Sequence, residues 1–330
     1  MRSSSPLIIF LLFIIPVTAF SQFTLPFYED FNESVCDTPL TGGCSGPLPA
    51  GWTFPTSDEG EFVNVTPMGT DTTTTWRAGE LGYAGHIIGN PPPAAYFYWQ
   101  PQFTSYEFLM TSPTIYVGAA EQVKVFYDME LDFYEIGGTE GLLIEFRTPG
   151  QNWQQVLGYE VSTGINVNFP LRTDSYTANV TDSIQLGFRA YGENSWNINS
   201  WDIDNVTVTP IPQLTFVSIR SNNPLDSTLA VTGDTITLKF TADTPLIGTS
   251  AIIADSLLTQ ENITNISGNA WQAIYVVQNN DEDGPVSFVT MFIAEYNAGG
   301  TLIPVDGNPK TVTTDNSLVV IDRTGPGEFE

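Results

Sequence analysis

Short runs of alternating apolar and polar residues recur along the chain, and Gly, Pro, Thr, Asn and Ser interrupt them roughly every 8 to 12 residues. Residues 123–129, Val-Lys-Val-Phe-Tyr-Asp-Met, show the pattern. A period of two places successive side chains on opposite faces, which suits a strand with one face buried. Helical spacing of apolar residues is nearly absent, so the chain is expected to be all-β, a sandwich or a barrel. A length of 330 residues allows two domains. The joint between them is expected at Thr209-Pro210-Ile211-Pro212-Gln213, where prolines at alternate positions make residues 210–213 a short stiff linker. Residues 22–209 then form one large β-domain and residues 214–324 a smaller one. Strands of the smaller domain are expected near 215–220, 235–240, 270–277, 286–295 and 317–321. Residues 325–330 read as a further linker or a ragged end, and no repeat relates the two domains.

The first 21 residues have the form of a cleaved signal peptide. Arg2 supplies the positive charge, the apolar run from Pro6 to Ala19 is too short to span a bilayer, and Ala19-Phe20-Ser21 fits the cleavage site. The mature chain is therefore expected outside the cell or on its surface, with no membrane insertion after cleavage. Losing Arg2 leaves nine Lys and Arg against 37 Asp and Glu, a net charge of −28. Such a chain repels nucleic acid and anionic membranes. The acids are spread through patterned sequence rather than massed in a tail, so disorder is not implied. Cys36 and Cys44 are the only two cysteines, and in an exported chain they read as a disulfide closing a small turn.

Acid pairs stand at both ends of the larger domain. The mature chain begins with the run Phe27-Tyr28-Glu29-Asp30-Phe31, and the last strand before the joint reads Trp201-Asp202-Ile203-Asp204-Asn205-Val206-Thr207-Val208. Alternation places Asp202 and Asp204 on one face of that strand. If first and last strands lie side by side, four carboxylates gather where a hard cation binds through oxygen. The competing reading is a solvated edge whose charges discourage edge-to-edge pairing.

The larger domain resembles the MAM-like and cleaved-adhesin domains of exported bacterial surface proteins, particularly of Bacteroidetes. The likeness is carried in order by residues 27–31, the Pro-x-Gly-Trp turn at 48–52, residues 108–113, 123–127, 143–147 followed by Trp153, 184–191 and 201–208. It implies a jelly-roll β-sandwich, often with structural Ca²⁺, used to bind glycans or proteins. Its Ca²⁺ ligands would be Glu29, Asp30 and Asp204, with Asp202 beside them. The smaller domain resembles a bacterial immunoglobulin-like domain through residues 217–223, 231–240, 268–271 and 320–326. Such domains act as spacers. Where that family has Asp-x-x-Gly-Asn, this chain has Glu295-Tyr296-Asn297-Ala298-Gly299-Gly300, which puts a cation site in that loop in doubt.

Catalysis finds little support. A single histidine, His86, removes most nucleophilic mechanisms and every multi-histidine zinc site. Glu130-Leu131-Asp132-Phe133-Tyr134-Glu135 resembles the Glu-x-Asp-x-x-Glu strand of jelly-roll β-glucanases, but Glu130 and Glu135 fall on opposite faces of a straight strand. The bland alternative turns Met129, Leu131 and Phe133 inward. Lys124, Phe126, Asp128, Glu130 and Asp132 then line the other face, a mixture of ring and carboxylate suited to sugars. Tyr96, Tyr98 and Trp99 belong to an aromatic-rich tract that either packs or binds. The chain is thus expected to be a non-catalytic, monomeric binding module: a jelly-roll sandwich holding an extracellular glycan or cell-surface protein, carried on an Ig-like sandwich. The rival readings are the N-terminal segment of a long structural surface protein and a β-glucanase using Glu130 and Glu135.

Overall fold

The computed structural model describes residues 23–31, 38–40, 43–46, 49–53, 66–68, 76–79, 94–98, 102–134, 137–162 and 169–323. Among these the secondary structure is almost wholly strand, with two short 3₁₀ turns at Ser195–Asn197 and Gln260–Asn262. The all-β expectation holds, and the strands stack into two sandwiches.

Two facing sheets make the first. One orders the strands Phe23–Thr24, Ile115–Gly118, Asp182–Asn194, Glu140–Arg147 and Gln154–Val161, with Gln102–Thr111 and Thr66–Met68 joined to it. The other runs Phe169–Asn179, Gln122–Phe133, Ile198–Pro210, Ala94–Tyr98, Trp76–Gly79, Gly43–Gly46 and Thr38–Leu40. Alternation decides which residues meet between them. Val123, Val125, Tyr127, Met129 and Leu131 face inward from the Gln122–Phe133 strand, all at or below 1% exposure. They share one core with Leu142, Ile144, Ile184, Leu186 and Phe188 of the opposing sheet. Each such side chain contributes about 1.5–3 kcal/mol through burial, so register is strongly specified here.

The expected N-terminal strand and the last strand of this sandwich do lie side by side. Phe27–Glu29 pairs antiparallel with Ile198–Pro210, matching Phe27 to Val208, Tyr28 to Thr207 and Glu29 to Val206. The Pro-x-Gly-Trp turn explains itself locally. Gly51 has φ +89°, where a side chain is strained. Trp52 follows, 5% exposed, with its ring 5.1 Å from that of Phe31.

A second core begins at Leu214 and runs to Ile321, formed by sheets of four, three and four strands. Strands appear at Leu214–Ser221, Thr235–Ala242, Ala270–Val276, Phe288–Ala298 and Val320–Ile321. Leu246–Ile253, Ile263–Ser267 and Thr301–Asp306 are additional to those expected.

The joint is packed rather than free. Ile198–Pro210 continues as a strand through the first proline, Ile211 is 6% exposed, and the Ile211 N–H donates to the Gln122 carbonyl at 3.4 Å. Across the boundary Asn308 Nδ2 donates to Gln122 Oε1 at 2.6 Å. Tyr28 packs against the second sandwich at Gly299. A Cβ placed on Gly299 would lie 2.1 Å from both Cδ1 and Cε1 of its ring. Gly299 and Gly300, at φ +58° and +83°, form the two-residue loop between Phe288–Ala298 and Thr301–Asp306, the dihedral signature of a type I′ hairpin turn.

Candidate functional site

Two features converge on the outward face of the sheet that carries Gln122–Phe133. The first is an acidic cluster. Asp204 stands opposite Asp128, and Asp202 opposite Glu130, in the register of Gln122–Phe133 with Ile198–Pro210. Asp202 and Asp204 share one face, as alternation requires. This face is not an open edge, since Asp128 is 7%, Asp202 2% and Asp204 2% exposed. Asn205 sits at φ +48° and inserts its amide into the cluster, Nδ2 donating to Asp128 Oδ2 at 2.9 Å. Asp128 also accepts from the Thr173 hydroxyl. Tyr28 caps the group, its hydroxyl donating to Asn205 Oδ1 at 2.7 Å. Burial, then the carboxylates of Asp30, Asp204, Asp128 and Glu29, push the Tyr28 phenol up to about 12.

Glu29 belongs elsewhere. Paired with Val206, it lies on the opposite strand face from Tyr28. Its Oε1 accepts the Phe31 N–H at 2.8 Å and its Oε2 accepts Trp52 Nε1 at 3.1 Å. Glu29 thus fastens the Trp52 turn, while Asp128, from the middle of the domain, takes a place in the cluster that terminal motifs did not reveal. Among the described residues no group of three or more His, Cys, Asp or Glu is arranged to hold a metal ion. The hard oxygen donors suit Ca²⁺ in kind. Buried like charges do require compensation.

The second feature is a cleft of about 400 Å³ between the two sandwiches. Lys124, Phe126, Ser175 and Thr177 form its floor and Pro304 to Asn308 its opposite wall. The floor residues are those that point away from the first core, by the same alternation that turned Val123 and Val125 inward. An aromatic ring is thus flanked by hydroxyls, an ammonium, the Asp306 carboxylate and the Asn308 amide.

The expected ligand residues divide. Phe126 lines the cleft, Asp128 lies in the acidic cluster, and Glu130 is half-buried beside it. Tyr96 is no surface platform: at 1% exposure it packs with Ala94 on the covered outer face. Phe97, its neighbour, turns into the main core at 0%. Tyr98, Asp132 and Cys44 lie in strands whose backbone alone is described, and Trp99, Cys36, His86, Glu135 and residues 1–22 lie outside the described residues. Met129 and Leu131 face inward. Burial raises the Glu140 carboxyl to about 7, but at 1% exposure it touches Tyr106, Asn194 and Asn197 rather than any open surface.

No protein-family model matches the sequence, and no curated protein matches it. Among solved structures, the K1 cleaved adhesin domain of Lys-gingipain from Porphyromonas gingivalis W83 is 11% identical, with 56% of this chain and 97% of that one covered at a TM-score of 0.36. TmCBM61, solved in complex with β-1,4-galactotriose, is 13% identical over 46% of this chain and 92% of its own, at 0.28. The adhesin domain of Epf from Streptococcus pyogenes is 10% identical over 78% and 92%, at 0.21. None of the three scores reaches 0.5, so they are likenesses of strand-rich architecture and nothing finer. No helix among the described residues is long and apolar enough to cross a membrane.

Proposed function

We propose that this is an exported, non-catalytic binding protein that holds an extracellular glycan or cell-surface protein, its MAM-like jelly roll acting together with the Ig-like domain. The observation that carries the reading is the cleft at Phe126. Ligand sites favour domain boundaries and pair an apolar surface with a few convergent polar groups, and the Phe126 ring sits there among Lys124, Ser175, Thr177, Asp306 and Asn308. The protein surface is strongly acidic, so a neutral or cationic partner is favoured over an anionic one.

Structural Ca²⁺ belongs to the same proposal. Its support is the kind of oxygen donor that Asp30, Asp202 and Asp204 offer, since these carboxylates form no ready-made metal-binding group. Glu29, engaged with Phe31 and Trp52, is left out of that set.

The test is a screen of the Gln22–Glu330 chain, in Ca²⁺ and after chelation, against a glycan array and a panel of cell-surface proteins. Saturable binding weakened by Phe126→Ala supports the cleft. Binding to nothing on either panel sinks the reading.

A further inference from the structure

A second surface of the first sandwich shows two aromatic rings to solvent. Tyr134 is 59% exposed and Trp196 43%, with ring centroids 6.1 Å apart at an interplanar angle of 86°. An edge-to-face contact covers one face of one ring and leaves the other ring's faces uncovered by its partner. The local structure explains why the indole does not fold inward. Trp196 is the middle residue of the 3₁₀ turn Ser195–Asn197, whose outer members are buried at 0% and 5%.

The described residues that flank Trp196 in sequence are tied down. Ser195 Oγ accepts the Phe103 N–H at 2.8 Å. Asn194 Oδ1 accepts the Trp196 N–H at 3.2 Å and Gln102 Nε2 at 2.9 Å. The Asn194 N–H and Asn197 Nδ2 both donate to Glu140 Oε1 at 2.8 Å. The Asn197 carbonyl accepts the Tyr134 N–H at 3.0 Å, which fixes one ring relative to the other. Two glycines allow the approach. A Cβ on Gly137 would lie 3.0 Å from Asn197 Oδ1, and one on Gly138 would lie 2.7 Å from Glu193 Oε2. Two large rings held in water on a backbone tied by hydrogen bonds to the buried Glu140 and Ser195 are preorganised for a partner, because little loop order is left to impose on binding.

We propose that Tyr134 and Trp196 form a stacking site for a neutral sugar ring of an extracellular glycan, a proposal that rests on the glycan-binding reading above. A pyranose presents C–H bonds on one face and hydroxyls at its rim. The aromatic faces take the first, and the exposed Glu193 beside the turn accepts from the second. Two rings fall far short of the roughly 800 Å² that a partner gives up in a stable protein–protein interface. Net charge and Glu193 both disfavour an acidic glycan.

The experiment prints neutral gluco-, galacto-, manno- and xylo-oligosaccharides and probes them with the Gln22–Glu330 chain. The brightest is then titrated in solution against Trp196→Ala, Tyr134→Ala, Trp196→Phe and Phe126→Ala, each checked by thermal melting. The expected result is a loss of roughly tenfold or more in affinity for the first two and a small loss for Trp196→Phe. Full affinity in both Trp196→Ala and Tyr134→Ala overturns this site. If Phe126→Ala alone abolishes binding, the sugar lies in the cleft and the glycan-binding reading stands without this site. A blank array overturns the site and the glycan half of the proposed function together.

Discussion

The approach of Tyr28 to Gly299 makes the contact between the sandwiches measurable. Gly299 and Gly300 are adjacent, both at positive φ, and differ in what surrounds them. A Cβ on Gly300 meets nothing within 4 Å, whereas one on Gly299 falls 2.1 Å from two atoms of the Tyr28 ring. Alanine at either site therefore carries the left-handed penalty, about 1–2 kcal/mol. At Gly299 the ring must also leave its place by more than an ångström to reach ordinary contact distance. That movement breaks the 2.7 Å bond from its hydroxyl to Asn205, a loss of about 1 kcal/mol, and exposes part of the ring. Gly299→Ala should therefore destabilise by about 1–3 kcal/mol more than Gly300→Ala. In a Tyr28→Ala background the excess should vanish, because nothing remains to collide with. Urea unfolding followed by circular dichroism and by tryptophan fluorescence provides the four free-energy differences. Equal losses for the two alanines in the native background, or an excess that persists without Tyr28, would refute the contact.

Three more outcomes follow from groups already placed. Glu140 has its carboxyl raised from 4.5 to about 7, so the folded state binds the proton more tightly and stability should fall by about 3 kcal/mol as pH rises through that window; Glu140→Gln should flatten the fall relative to the native chain in urea titrations at pH 4.5 and 8, and an unchanged slope would count against it. Arg189, 8% exposed, donates to Glu145 and Glu107 at 2.7 Å each, so Arg189→Leu should cost about 3–5 kcal/mol by stranding the buried Glu145; a melting temperature within a degree of the native value would be the contrary result. Chelation should lower the melting temperature if Ca²⁺ neutralises the Asp128–Asp204 cluster; an unchanged melting temperature in chelator would remove Ca²⁺ from that cluster.

How far the sequence reached depended on whether a signal was local. Strands such as Gln122–Phe133 and Thr235–Ala242 declare themselves, because their inward residues are large and apolar and their outward ones polar. Leu246–Ile253 does not, since its inward positions include Thr249 and Ala251, too polar or too small to mark a face. Thr301–Asp306 is an edge strand interrupted by Pro304. The pairing of the domain's first and last strands was readable, and so was the shared face of Asp202 and Asp204. The place of Glu29 was readable too, by the alternation that separates it from Tyr28, but a motif taken as a block concealed it. Asp128 joins the cluster only through a register between strands distant in sequence. Tyr96 failed as a surface signal because a sheet covered on both faces has room for Tyr96 outside and Phe97 inside. Tyr134 and Trp196 carried no joint signal, though Gly137-Gly138 and the capping Asn194 each mark a close approach.

These contacts change what the smaller domain does. A spacer joined by a free linker contributes reach and nothing else. Here Pro304 to Asn308 supply one wall of the Phe126 cleft, Gly299 covers the ring of Tyr28, and that ring's hydroxyl reaches the amide that contacts Asp128. The hairpin of the second sandwich is therefore linked through one tyrosine to the acidic cluster of the first. The charge state of Asp128 and Asp204 therefore bears on the seat of Asn205 and Tyr28, and so on the wall that Pro304 to Asn308 present to Phe126. A change in that charge should loosen the cleft even though none of the buried carboxylates lines it. The Tyr134–Trp196 corner, built wholly from the first sandwich and pinned by Glu140, should be indifferent to the same change. A ligand whose affinity follows the charge state of the acidic cluster thus belongs to the cleft, and one whose affinity does not belongs to the corner.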